Sequence, residues 1–245
     1  MLFTSPPVAG SPYGSDEHEK LQSMEYLIRR TDSLDSITHD WDAAPWDQAA
    51  TLSIANFHAR SSDHHPRVEA RLVYDDKGLG VIYRAEDQYV RSVSTQFQDS
   101  VCRDSCVELF VEPVPGGGYF NFEFNCAGVL LLFHVVDPTP TGSGFKDATD
   151  VAAEHAKDIT ILPSLSGPID PEISGPVSWT LSARIPWILF EPYVGLPETR
   201  SGTRMRANLY KCADETSRPH WASWAPIGDQ LNFHQPQHFG TLVLE

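Results

Sequence analysis

Two neighbouring stretches decide the fold: Asp104-Ser-Cys-Val-Glu-Leu-Phe-Val-Glu112 and Tyr119-Phe-Asn-Phe-Glu-Phe-Asn125. Side chains on a β-strand point to opposite faces in turn. In the first stretch Ser105, Val107, Leu109 and Val111 share one face, and Asp104, Cys106, Glu108 and Phe110 share the other. In the second, Phe120, Phe122 and Phe124 form an apolar face opposite Tyr119, Asn121, Glu123 and Asn125. The period of two predicts strands whose apolar side enters a core. Glu, Asn and Tyr on the other side offer the paired acceptors and donors that polyol hydroxyls need. The alternative is a polar sheet face that simply meets solvent.

The same alternation recurs along the chain. Met24–Arg29, Thr51–Phe57, Val68–Tyr74, Leu79–Ala85, Val129–Val136, Ile159–Leu162, Val177–Ile185, Arg204–Cys212 and Phe239–Leu244 all read as strands. In Val177–Ile185, Trp179, Leu181, Ala183 and Ile185 take the inward phase. Asp75-Asp-Lys-Gly78 is a hairpin signal between two strands, because Asp and Gly accommodate a tight reversal. Residues 41–48 carry two tryptophans around Pro45 and read as a compact loop, 147–156 as a short helix, and 163–176 as a Pro/Gly-rich loop. Many short strands separated by Gly/Pro turns predict an all-β sandwich spanning residues 23–245. Residues 1–22, rich in Pro, Gly, Ser and charge, are expected to form a flexible arm.

The chain has 245 residues, with 18 Lys and Arg against 33 Asp and Glu, a formal charge of −15. That balance argues against nucleic acid and anionic membranes, which call for a basic footprint. No apolar run approaches the roughly 20 residues of a membrane helix. The N-terminus lacks the pattern of a signal peptide, and the four cysteines do not form a disulfide framework. The expectation is therefore free thiols and a cytoplasmic protein as written, or an extracellular one if a leader has been removed. His58, His64, His65, His234, His238 and Cys102-x-x-x-Cys106 show no zinc spacing, and Gly116-Gly-Gly118 serves a turn rather than a phosphate.

The order of motifs resembles the family 9 carbohydrate-binding modules and their stand-alone relatives. The resemblance rests on Ala44-Pro-Trp46-Asp-Gln-Ala49, Leu79-Gly-Val-Ile-Tyr83, Asp104-Ser-Cys-Val-Glu108-Leu-Phe and Tyr119–Gly128. It continues through Ile185-Pro-Trp187, Arg206-Ala-Asn208, Ser223-Trp224 and Phe233-His-Gln-Pro236-Gln-His-Phe-Gly240, covering about residues 24–245. It implies a jelly-roll-like β-sandwich of the kind shared with DOMON domains, and a saccharide held on a polar sheet face between aromatic rings. By motif position the resemblance implies Glu108, Asn125 and Tyr210 as hydroxyl partners and Phe233 as one ring. Glu123 stands where the best-known members have Arg, and no aromatic stands near Cys102, where the second ring is implied; Tyr89 and Trp221 are the substitutes. Arg206 and Asn208 share the phase of Tyr210 and complete the candidate ligand set. Calcium held by loop carboxylates is the cofactor the resemblance allows, although no loop reads as a calcium motif.

Three functions follow as expectations. The first is a carbohydrate-binding module, whose ring stacking and hydrogen bonds, each worth about 1 kcal/mol, imply micromolar to millimolar affinity. The second is a glycan-active enzyme using Glu108 and Glu123 as an acid–base pair. The third is an interaction module whose sheet face meets a protein partner.

Overall fold

A computed structural model describes residues 24–142 and 144–245; the expected N-terminal arm, residues 1–22, lies outside the described residues. The chain makes β1 (Glu25–Arg30), the short β2 (Leu52–Ser53) and β3 (Asn56–Phe57), and the hairpin of β4 (Arg67–Tyr74) and β5 (Gly78–Asp87). There follow β6 (Val90–Ser92) and the antiparallel run β7 (Cys106–Glu112), β8 (Tyr119–Asn125), β9 (Leu130–Thr141) and β10 (Gly144–Asp150). The remaining strands are β11 (Thr160–Pro163), β12 (Ile169–Ile173), β13 (Val177–Pro186), β14 (Arg204–Cys212), β15 (Trp221–Ser223) and β16 (Gly240–Leu244).

The strands build a β-sandwich. One sheet runs β10-β9-β8-β7-β14-β16-β1 and the other β1-β4-β5-β13-β11. β1 belongs to both: Glu25–Ile28 pair in parallel with β16, after which Arg29 and Arg30 pair in parallel with β4. Between the sheets lies one apolar core. The first sheet contributes Val107, Leu109, Val111, Phe120, Phe122 and Phe124, and the second contributes Leu72, Val81, Trp179, Leu181 and Ile185. Each fully buried aromatic or aliphatic side chain stabilises by about 1.5–3 kcal/mol relative to an exposed one. The alternation of the opening stretches therefore holds residue by residue.

Local chemistry explains the turns. Asp75 Oδ1 accepts the backbone N–H groups of Lys77 and Gly78, each at 2.8 Å, and its Oδ2 accepts that of Leu34 at 2.8 Å. A Cβ at position 78 would meet the Ile185 carbonyl oxygen at 2.7 Å, so only glycine lets β5 lie so close to β13. Gly240 likewise lets β16 pass beneath the Trp224 ring, whose edge stands 2.8 Å from where its Cβ would be.

Some expected elements differ. Residues 51–57 do not form one strand: β2 pairs with β4 and β3 with β15, so the segment crosses between sheets at Ile54. The expected helix over 147–156 is a strand as far as Asp150, because β9 offers an edge to pair with, and helix remains only at Ala153–Ala156. Within the expected loop 163–176, β12 pairs with β6. The largest difference lies on the outer side of the first sheet, where Glu108, Asn121, Glu123 and Asn125 are all buried. A solvated polar face is ruled out; loops cover it.

Candidate functional site

Strand pairing arranges the outer face of the first sheet in rows. Cys212 lies opposite Cys106, and Cys106 opposite Asn125; Tyr210 lies opposite Glu108, and Glu108 opposite Glu123; Asn208 lies opposite Phe110, and Phe110 opposite Asn121. The two carboxylates expected to be neighbours are therefore side by side on adjacent strands. Above them folds the segment 227–235. Gln235 fastens it, its buried side-chain amide donating to the carbonyls of Ile227, Gln230 and Asn232 at 3.2, 3.2 and 2.7 Å. The Tyr119 hydroxyl meets His234 Nδ1 at 2.8 Å, and the His234 ring packs on Phe110 with centroids 4.9 Å apart.

Between that segment and the 3₁₀ turn at Val101–Arg103 a cleft of about 310 Å³ remains. Its floor holds Glu108, Glu123, Phe110 and Cys212, and its walls hold Cys102, Asp214, Trp221 and Leu231 to His234. Phe233 is half-buried. One face of its ring stacks on Tyr210, with centroids 4.1 Å apart and planes 11° from parallel, and the Tyr210 hydroxyl donates to the Phe233 carbonyl at 3.0 Å. Trp221 Nε1 donates to Asp214 Oδ1 at 2.7 Å, fixing the indole at the opposite wall.

The cleft is acidic, and among the described residues no Lys or Arg lines it. Glu123 Oε1 accepts the Asn121 amide at 2.8 Å, yet burial still pushes its carboxyl up to about 7. Burial and the neighbouring Glu123 raise the Glu108 carboxyl well above its ordinary range. Glu108 Oε1 accepts the Cys212 thiol at 3.0 Å, while its Oε2 is buried with no hydrogen-bond partner among the described residues. Burial also raises the Asp214 carboxyl and lowers the His234 imidazole to about 4, leaving the latter neutral.

Of the candidate residues, Glu108, Glu123, Phe233 and Trp221 meet in this cleft. Tyr210 lies fully buried beneath Phe233. Asn125 is fully engaged elsewhere: its amide donates to Asp104 Oδ2 at 3.0 Å and to the Ser94 carbonyl, and its Oδ1 accepts from Ala127 and Val129. Asn208 is likewise occupied, exchanging hydrogen bonds with the backbone of Ala225 in both directions at 2.9 Å. Arg206 donates to the Pro236 carbonyl and stands 3.7 Å from Glu112, outside the cleft. Tyr89, the other substitute ring, packs against His64 and Arg218 instead. The cleft also brings in Phe110, Cys102, Cys212, Asp214, Asn232 and His234, which sequence pattern alone does not mark as site residues. Phe110 was in phase with Glu108, but nothing in spacing ties Asp214 to Trp221. Among the described residues, Cys106, Glu108 and Cys212 converge as potential metal donors, and their two soft sulfurs do not suit calcium.

Residues 42–244 match the sequence profile of carbohydrate-binding family 9. The chain belongs to that family. Among solved structures, this family 9 chain is similar to a proposed carbohydrate-binding protein from Bacteroides uniformis. The two share 28% identity with a TM-score of 0.79, covering 90% of this chain and 99% of that one. Two structures of a family 9 module from Caldicellulosiruptor kristjanssonii, one with cellotriose and one with glucose, share the fold. Their identities are 14% and 13%, their TM-scores 0.60 and 0.57, and each covers 90% of this chain and 93% or 95% of its own. No curated protein matches the chain. The fold and family agree with a carbohydrate-binding β-sandwich, and no described helix is long and apolar enough to cross a membrane.

Proposed function

We propose that this family 9 domain binds its saccharide in the cleft beneath residues 231–234. The observation that carries this reading is the meeting of two aromatic rings, Phe233 and Trp221, with a row of carboxyl groups in one open cleft. Phe233 is backed by Tyr210, so a pyranose would stack on its outward face, and Trp221 supplies the ring that the motif order lacks near Cys102. Glu108, Glu123 and Asp214 offer carboxyl groups to the hydroxyls of the sugar. Asn232 offers both a donor and an acceptor. A lining without Lys or Arg among the described residues favours neutral sugars over uronic acids, because a bound carboxylate would face like charge without a counterion.

Binding rather than cleavage is the reading carried forward. Carboxyls that rise from neighbouring strands meet a ligand from one side, whereas glycoside cleavage flanks the scissile bond with its pair.

Calorimetric titration with glucose, cellotriose and glucuronate tests this directly, the first two being the saccharides held by the relatives. Glucose or cellotriose should bind in the micromolar to millimolar range and glucuronate more weakly. The absence of binding by any of a panel of neutral mono- and oligosaccharides at millimolar concentration would overturn the reading.

A further inference from the structure

The cleft floor brings together two cysteines that are far apart in sequence. Cys106 on β7 and Cys212 on β14 occupy directly paired positions, and Glu108 follows Cys106 on the same face. Cys212 Sγ lies 3.0 Å and Cys106 Sγ 3.9 Å from Glu108 Oε1, and the three donor atoms all fall within 4.8 Å of one another. Tetrahedral zinc holds sulfur at about 2.3 Å and carboxylate oxygen at about 2.0–2.2 Å, so such donors need only small shifts to share an ion. The remaining Glu108 oxygen is buried and without a partner among the described residues, a cost that a bound cation would remove.

We propose that Cys106, Cys212 and Glu108 form a binding site for a single thiophilic divalent cation of the zinc class. Two sulfurs and one carboxylate oxygen select such a cation over calcium or magnesium. Glu108 and Cys212 line the cleft, which gives an ion its route to the buried Cys106. Binding is a proton exchange: the divalent ion displaces one proton from each thiol, and the two thiolates with the Glu108 carboxylate leave a site of net charge −1. Glu123 and Asp214 add negative charge nearby, and the buried Lys211, whose side chain points to the other face of β14, supplies positive charge. The site shares Glu108 with the proposed saccharide cleft but does not depend on that reading.

The test uses the full chain, reduced with a phosphine, freed of metal and titrated with Co2+ alone. One equivalent should produce a thiolate-to-cobalt charge-transfer band in the near ultraviolet, reversed by Zn2+. Cys106→Ser and Cys212→Ser should each lose most of the band, Glu108→Gln should weaken binding about tenfold or more, and Cys126→Ser should change nothing. Should the serine variants fail to fold, Zn2+ calorimetry of the unaltered chain in two buffers of different ionisation heat still decides. More than one proton released per ion supports the site; Zn2+ binding without proton release, or no binding, overturns it. A band that survives in the folded Cys106→Ser/Cys212→Ser double variant also overturns it.

Discussion

Both sheets have their outer faces covered by a loop segment, and the two covers are built to opposite ends. Over the second sheet, residues 31–50 bring Leu34, Trp41 and Trp46 onto Val73 and Ile82. The charges beneath that cover are matched: Arg71 donates to the Trp41 and Trp46 carbonyls and lies over the Trp41 ring at 4.3 Å, and Arg84 binds Glu69 at 2.6 Å. Over the first sheet, the 227–235 cover leaves a cleft in which Glu108, Glu123 and Asp214 have no cation among the lining residues. Burying carboxyls without a partner ion costs stability. Neutralised charge under one cover and unpaired carboxyls under the other fit the proposed saccharide cleft beneath the second.

The sharpest way to break this comparison is Trp46→Ala. Trp46 is fully buried and donates to the Thr38 carbonyl at 2.8 Å, so its loss should cost about 3–5 kcal/mol in urea denaturation. Saccharide affinity of the folded variant should be unchanged; a change would show that the two covers are not separate.

Next in size is a pH effect confined to the cleft. The Glu123 carboxyl rises from 4.5 to about 7, so the folded chain holds this proton more tightly than the unfolded one. The associated stability is fully present below about pH 4.5 and lost as pH rises through about 7, a change on the order of 3 kcal/mol. Glu108 acts in the same direction. Denaturation midpoints should fall across that window, and Glu123→Gln should flatten the fall; an equal slope in the variant would count against the unpaired carboxyl.

Asn208→Ala removes the amide that ties β14 to Ala225 and should cost about 1–3 kcal/mol of stability, with little effect on saccharide binding. The smallest effect belongs to Phe233→Ala, which should leave folding nearly intact and weaken saccharide binding by about 1 kcal/mol, roughly fivefold.

The strand alternation of 104–125 was legible because a period of two needs only local sequence, and it located the core face residue by residue. The same period said that Glu108 and Glu123 share a face, but not that the face is roofed, since the roof comes from residues 227–235 more than a hundred positions away. Asn125 and Asn208 had the right phase for ligand contacts, yet their amides are used by nearby backbone, a competition that pattern alone does not reveal. Cys106 and Cys212 became neighbours only through the pairing of β7 with β14. Spacing within one segment could not announce them.

The central claim, that saccharide enters the cleft between Phe233 and Trp221, has a direct optical test. Of the six tryptophans, Trp41, Trp46, Trp179, Trp187 and Trp224 are buried, and Trp221 alone is half-exposed in the cleft. Titration with a saccharide that binds should shift the intrinsic fluorescence of the protein, and Trp221→Phe should abolish the shift. An undiminished shift in Trp221→Phe, or calorimetric binding unaffected by Phe233→Ala and Trp221→Ala together, would place the sugar elsewhere and contradict the account.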